Sequence, residues 1–520
     1  MSSYKFRKNA EIGKLEAETD SYLDFCFYKS DVYKGLLDFD SSEANPDFTR
    51  RIIVGRTGSG KTALLKQIIK DNAIKVHAVI EAENTVFEHI KNNVFIMDLI
   101  SKGIDLRVFY KSLWLHVLLI NVINQVHRSS YDSFFDKVAS FIPMVKKSYN
   151  ARLANEYVAK FKDNFFNDNV IEEITNRIQE ELSVKLGVSK TDLGVKNNEE
   201  NTRKIQRETS SYVSKELIRK QKELIKLLKE EFSNEKQVRI VISIDDLDKS
   251  WLSSSEIRYD FINALLEGFR ELLDIKSVKI LISIRTDIIM GIYENNLRQE
   301  EKDESLIYAV SWNRKEIKEI LNRRINHLVK NQYSSSLNVT MDDVFSFNVQ
   351  GQTATDYIID RTMLRPRDAI SFVNQCLSQC DGDVSIDENI VLAAEEKFYA
   401  LRKKALAKEW VSIYPHVQVY LDALSFLKDD KFTLNSLSDT EKGSCLNYLL
   451  NQSYTDSDHA HNNRILEFDE LLKVWFTTGV IGIIKNENII VYSSFEKPTL
   501  DITDLKREFL IHPLFYRLVH

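Results

Sequence analysis

Gly55-Arg-Thr-Gly-Ser-Gly-Lys61-Thr62 is the stretch that decides the fold of this 520-residue chain. Its spacing is G-x-x-x-x-G-K-[ST]. Glycines let the backbone curl tightly round a phosphate and expose amide N–H groups that no Cβ obstructs, the lysine reaches the β- and γ-phosphates, and the hydroxyl meets Mg²⁺. The apolar run Arg51-Ile-Ile-Val-Gly55 precedes the loop, and Leu64, Leu65, Ile68 and Ile69 share one helical face after it. Strand, glycine loop, helix is the context in which that spacing carries chemistry. Gly55, Arg56, Thr57, Gly58, Ser59, Gly60, Lys61, Thr62 and Ala63 are therefore the expected nucleotide-contacting run, with Lys61 also catalytic and Thr62 also a metal ligand.

Two further apolar strands lie downstream. Val238-Arg-Ile-Val-Ile-Ser-Ile244 ends in Asp245-Asp-Leu-Asp248, and Val278-Lys-Ile-Leu-Ile-Ser-Ile284 ends in Arg285-Thr-Asp287, with a helix expected over Glu256 to Leu273 between them. Continuous apolar strands alternating with helices indicate a parallel sheet covered on both faces, an α/β fold. Asp245 is the acid that ends a strand, where a carboxylate can hold Mg²⁺; Asp246 is placed to orient or deprotonate an attacking water. Asp248 fits a helix N-cap as well as it fits catalysis. Arg285 and Thr286 end the neighbouring strand, within reach of a γ-phosphate or of solvent.

Composition narrows the class. Lys plus Arg is 71 against 77 Asp plus Glu, a formal net charge of −6, so nothing global indicates a protein that coats nucleic acid. Glycine is scarce at 15 residues and proline at 6, which disfavours a turn-rich β-sandwich and favours long helices. Four cysteines (Cys26, Cys376, Cys380, Cys445) form no zinc spacing and no disulfide framework. The N-terminus lacks the apolar stretch of a signal peptide, and the most apolar run, Leu113 to Ile123, is too short to span a bilayer. A soluble cytoplasmic protein with no membrane segment is expected.

The remaining chain parses into segments. Residues 1–48 read as helical, with Leu15, Tyr22 and Leu23 as an apolar face, and residues 49–128 as the first part of the core, including a strand at Val94 to Leu99 and a long helix at Val108 to Val126. Residues 129–236 read as a helical, coiled-coil-like insertion with Val213, Leu217, Leu224 and Leu228 as its seam and a polar tip between Asn197 and Thr202. Residues 237–330 complete the core, 331–410 form a helical lid, and 411–520 carry a helix and two short strands suggestive of a winged helix. Within the lid, Thr362-Met-Leu-Arg-Pro-Arg367-Asp368 opens a helix, the proline suiting a first turn. Arg365 and Arg367 there either lean onto phosphates or make a structural Arg-Asp turn. Arg258, Arg270 and Arg298 are candidate fingers for a neighbouring subunit.

Together, the glycine loop, Ile244-Asp-Asp-Leu-Asp-Lys249, Ile284-Arg-Thr-Asp287 and the Arg-Pro-Arg-Asp element resemble the additional-strand P-loop ATPases: the AAA+ class and its relatives, the STAND and KAP NTPases. Three peripheral stretches, Ile12-Gly-Lys-Leu-Glu-Ala-Glu-Thr-Asp20, Lys404-Ala-Leu-Ala-Lys-Glu-Trp410 and Phe509-Leu-Ile-His-Pro513, resemble a bacterial ATPase family often found among defence and mobile-element genes. The departures are a 184-residue distance from Lys61 to Asp245, an Asp rather than a Glu after Asp245, and no LSGGQ-like segment.

The resemblance implies a Mg²⁺-ATP-binding, slowly hydrolysing ATPase that acts as an oligomeric switch on a separate effector protein, with a role in anti-phage defence. A DNA-engaged loader is the alternative it leaves open. Residues 411–520 hold 10 Lys/Arg against 15 Asp/Glu, the wrong sign for phosphate contacts, so nucleic acid is the less favoured partner.

Overall fold

The computed structural model describes residues 4–39, 49–82, 90, 93–128, 175–184 except 177 and 181, 199–231, 239–245, 247, 255–295, 300–333, 338–380, 382, 385–452, 465–486, 489–498, 500–502, 504 and 506–519. Asp246, Asp248, Arg298 and most of the insertion up to residue 198 lie outside the described residues. The chain divides into two compact units: Ser30–Val54 with Leu64–Tyr308, and Met1–Lys29 with Gly55–Ala63 and Ala309–His520.

The first of these is built on a five-stranded sheet of β1 (Ile52–Gly55), β2 (Val76–Glu81), β3 (Ile240–Asp245), β4 (Val278–Arg285) and β5 (Ile307–Ala309), in the order β2-β3-β4-β1-β5. β2, β3 and β4 pair in parallel, with Ile80 opposite Ile244 and Ile244 opposite Ile282. β4 therefore separates the loop-bearing strand from the acid-bearing strand. β3 and β4 are buried along nearly their whole length, which is why they read as unbroken apolar runs; β2 lies at an edge and buries only Ala78 and Ile80.

Two helices cover this sheet in a close pair, Arg107–Arg128 and Ser255–Glu271. The indole of Trp114 donates to the Phe261 carbonyl at 3.1 Å and its ring lies 5.1 Å from that of Phe261, while Gly268 lets Leu115 approach. The end of the insertion is a continuous helical run over Glu199–Tyr212, Val213–Ile218 and Arg219–Glu231, and Val213, Leu217, Leu224 and Leu228 are all buried. Gln221 and Ser112 bond each other twice, fixing this run on the Arg107–Arg128 helix. The polar residues up to Thr202, expected as a tip, are already helical from Glu199.

Val94 to Leu99, expected as a strand, belongs to the helix Val94–Ser101. Asn93 Oδ1 accepts from the Ile96 N–H at 3.1 Å as an N-cap, and Phe95, Ile96 and Leu99 bury one face. A short apolar run has no periodicity to separate the two outcomes.

In the second unit, the helices Arg314–Tyr333, Ala354–Asp360, Pro366–Ser378 and Glu388–Trp410 form a bundle, with the hairpin of β6 (Asn348–Val349) and β7 (Gln352–Thr353) beside it. Phe372 and Phe398 stack at 4.7 Å in its core. The helix expected to open within Thr362–Asp368 does begin there: the helix Ala354–Asp360 ends, Met363 and Leu364 turn with φ angles of +49°, and Pro366 starts the next helix. The N-terminal segment is mostly irregular, with short helices at Leu23–Cys26 and Asp31–Leu36; Leu15, expected on an apolar face, is 42% exposed. Asp20, Asn374 and Arg324 hold residues 12–13 on the bundle instead.

Towards the C-terminus, the helices Val417–Asp422, Asp439–Leu450 and Phe468–Thr478 accompany an antiparallel sheet of β8 (Lys431–Phe432), β9 (Ile481–Asn486), β10 (Ile489–Val491) and β11 (Phe509–Ile511), ordered β10-β9-β11-β8. The hairpin expected from Val480 onward is β9 and β10. The last strand, β11, inserts between it and β8. Among the described residues, no helix is long and apolar enough to cross a membrane.

Candidate functional site

β1 leads directly into the glycine loop, and Lys61 opens the helix Lys61–Ile69. Gly58 and Gly60 have φ of +82° and +93°, the left-handed conformations for which glycine is suited. A side chain at Gly58 would meet Arg367 Cβ at 3.0 Å, and one at Gly55 would meet Ser59 Oγ at 2.5 Å. At Gly60 the nearest atom to an added Cβ is a Trp312 ring carbon at 3.9 Å, so that glycine keeps open space beside the loop. Backbone of this kind turns successive N–H groups into one concavity, and the first-turn amides of the following helix have no partner within the helix.

Lys61 Nζ donates to the carbonyls of Gly55 at 2.9 Å and Arg56 at 3.3 Å, which folds its ammonium over the loop. Thr57 Oγ1 and Ser59 Oγ are buried without a hydrogen-bond partner among the described residues. Glycines in left-handed conformation, a lysine held at the loop and two unsatisfied hydroxyls fit a bound polyphosphate.

The loop is braced from outside by residues far away in sequence. Glu409, near the end of the helix Glu388–Trp410, accepts from the Thr57 N–H and from Arg56 Nε, each at 3.2 Å, and from Arg365 Nη1 at 2.9 Å. Arg365 Nη1 also donates to the Thr57 carbonyl at 3.1 Å. The Thr57 residue is thus held at its N–H by a carboxylate and at its C=O by a guanidinium. Trp312 Nε1 donates to the Ser59 carbonyl at 2.8 Å, and the Arg367 N–H donates to the Gly58 carbonyl at 3.3 Å.

Arg56 extends the brace further, donating from Nη2 to the Thr478 carbonyl at 2.7 Å and lying 5.4 Å over the Trp410 ring. Burial, and then the neighbouring Arg365, pull its pKa down to about 10, so it remains a cation at neutral pH. His512, buried close by, is pushed down to about 3 by burial and then by Arg365, Arg361 and Arg56; it is neutral, and its Nδ1 accepts from the Leu514 N–H. Asp368 is raised by burial, with Arg402 as its ion-pair partner at 3.1 Å.

The two arginines expected at the phosphates therefore stand differently. Arg365 is 3% exposed, with its guanidinium committed to Glu409 and to the loop's own backbone. Arg367 Nε donates to the Leu15 carbonyl. The structural Arg-Asp turn is also present, since Arg365 occupies the N-cap position of the helix that Asp368 enters and Asp368 pairs with Arg402.

In the sheet-bearing unit, Asp245 ends β3 opposite Glu81 of β2 and is half-buried. Arg285, at the end of β4, is bound at Nε and Nη2 by the two oxygens of Asp287, both at 2.8 Å. Thr286 is buried as the first residue of the helix Thr286–Glu294 and does not face solvent at a strand end. Of the finger candidates, Arg258 is buried against Tyr259, and Arg270 pairs with Asp303. Among the described residues, no cluster of three His, Cys, Asp or Glu could hold a metal ion by itself.

Trp312, Glu409 and Thr478 were not identified as loop contacts from sequence. Glu409 belongs to the Lys404–Trp410 stretch, but its partner Thr57 is 352 residues away and no spacing connects them.

Residues 52–309 match the model of the KAP family P-loop domain, and residues 315–407 match that of the FunZ-associated C-terminal helical domain. The chain thus holds a P-loop NTPase domain similar to that of the KAP family, followed by a helical region similar to the FunZ-associated domain. The first match ends at Ala309, where the second compact unit resumes, and the helix Arg314–Tyr333, grouped with the core in the sequence reading, falls almost wholly in the second match. No curated protein matches the chain. Among solved structures, the chain is similar to the ORC2 protein of Aeropyrum pernix in ADPNP–ADP complexes, at 12% identity and a TM-score of 0.35, covering 90% of this chain and 85% of that one.

Proposed function

We propose that the protein binds Mg²⁺-ATP at the Gly55–Thr62 loop, hydrolyses it slowly, and uses the cycle as a switch. The observation that carries this reading is the loop itself: the full glycine spacing, two of its glycines in left-handed conformation, and Lys61 held over it. In this reading Gly55 to Ala63 supply amide N–H groups to the phosphates, and Lys61 turns from the Gly55 and Arg56 carbonyls to the β- and γ-oxygens. Thr62 and Asp245 are the proposed Mg²⁺ ligands, a hydroxyl and a carboxylate that suit a hard cation. Bound Mg²⁺ would neutralise charge on the transferring phosphoryl group.

Asp246 is the proposed base or water-positioning residue, one methylene shorter than a Glu, which supports slow turnover. Arg285 is the proposed reporter of the γ-phosphate. Arg365 and Arg367 act at the loop from the helical domain, Arg365 through Thr57 and Arg367 through Gly58. We read residues 411–520 as a winged-helix-like domain that contacts protein, because its charge has the wrong sign for DNA. Assembly into an oligomer, control of a separate effector and a role in anti-phage defence rest on the family resemblance.

Phosphate release tests the enzymatic reading. Wild type should release phosphate from ATP with Mg²⁺, and Lys61→Ala and Asp245→Asn should not; release that is equal in all three would overturn it. Mass photometry with and without ATP tests the switch, which predicts an assembly change in wild type that Lys61→Ala lacks.

A further inference from the structure

The Lys404–Trp410 stretch has no role in the chemistry above, yet it supplies a carboxylate that grips the glycine loop. Glu409 is buried and engages three groups at once: the Thr57 N–H, Arg56 Nε and Arg365 Nη1. Arg56 in turn crosses to the Thr478 carbonyl, at the end of the helix Phe468–Thr478 and next to Gly479. Gly479 has a φ of +80°, and a side chain there would meet Arg56 Nη1 at 2.6 Å, so the corner is shaped around the guanidinium. Beyond Gly479 the chain enters β9 and its hairpin.

We propose that Glu409 is a positioning residue for the phosphate-binding loop and that Arg56, held between Glu409 and Thr478, carries the state of the loop to the helix–hairpin Phe468–Val491. The inference rests on the nucleotide reading of the loop. Its physical basis is that Arg56 and Thr57 are consecutive in the loop, so a phosphate that reorients the Thr57 peptide also moves the Arg56 backbone. Arg56 is fixed at both ends by charge-assisted or backbone hydrogen bonds, which are short and directional. Any shift of the loop then repartitions the bonds to Glu409 and to the Thr478 carbonyl. A lysine at position 56 would keep the charge but not the fork that reaches both acceptors.

The test is hydrogen exchange of the full-length protein with and without Mg²⁺-ATP, in wild type, Glu409→Gln and Arg56→Lys, alongside direct ATP binding and the melting temperature without nucleotide. Wild type should show ATP-dependent protection of the loop and a change in exchange over residues 468–491. Glu409→Gln should bind ATP about tenfold more weakly, as expected for the loss of a charged hydrogen-bond partner. At saturating ATP it should lose the change at 468–491. Arg56→Lys should retain protection of the loop and lose the distant change, which a merely structural role for either residue would leave in place. The inference is overturned if wild type binds ATP without any change at 468–491, or if both variants keep that change. If wild type shows no ATP binding at all, the nucleotide reading falls and this inference falls with it.

Discussion

The indole Nε1 of Trp312 donates to the carbonyl of Ser59 at 2.8 Å, tying a residue just beyond the sheet strand β5 to the centre of the glycine loop. The Trp312 ring also lies nearest the open side of Gly60. Its fluorescence should therefore change when Mg²⁺-ATP is added, and Trp312→Phe should lose most of that change. The same substitution leaves the Ser59 carbonyl without its donor, and a net hydrogen bond of about 1 kcal/mol corresponds to roughly fivefold weaker ATP binding. An unchanged fluorescence response in Trp312→Phe would show that the indole does not report the loop.

Gly58 should tolerate no side chain. Alanine there combines a left-handed φ, at about 1–2 kcal/mol, with a close approach to Arg367 Cβ. Gly58→Ala is expected to lower the unfolding free energy by about that amount and to reduce ATP binding by more than tenfold. Chemical denaturation and equilibrium binding measure the two effects separately.

Much of the site was legible because local sequence determines local backbone. The strand–loop–helix order around Gly55 to Lys61 announces itself within a few residues. Partners separated by hundreds of residues do not. The contacts of Glu409 with Thr57, Trp312 with Ser59 and Arg324 with Asp20 depend on tertiary packing, and nothing in either member of each pair identifies the other. β2 gives a weak sequence signal for a related reason: as an edge strand, Val76–Glu81 buries only alternate residues, whereas the more apolar Val94 to Leu99 is helical.

Acid should destabilise the fold through its buried histidines. His512 and His116 are each held neutral with pKa values of about 3, against an ordinary 6.5, in both cases chiefly by burial. Between those values the unfolded chain binds more protons, so stability falls as pH drops through 6.5 and the loss levels off near 3. Each group contributes about 1.4 kcal/mol per pH unit well inside that window. His512→Asn keeps an acceptor for the Leu514 N–H and should reduce the slope of unfolding free energy against pH by about that much. An unchanged slope would show that His512 titrates normally.

The N-terminal segment should depend on one ion pair. Asp20 Oδ2 accepts from Arg324 Nη2 at 2.6 Å, while Oδ1 accepts from the Lys14 and Tyr22 N–H groups. Both side chains are buried, and removing one partner leaves an uncompensated charge. Asp20→Ala is expected to cost about 3–5 kcal/mol and to make the first 29 residues susceptible to limited proteolysis. Resistance equal to wild type would place the anchor elsewhere.

The central claim is that the Gly55–Thr62 loop holds a nucleoside triphosphate through Lys61. Isothermal titration of Mg²⁺-ATP into purified wild type and Lys61→Ala, each with confirmed folding, tests it most directly. Wild type should show saturable one-site binding, and Lys61→Ala should bind at least tenfold more weakly, because the charged phosphate contact is lost. Equal affinity in the two proteins, or no binding by wild type, would contradict it.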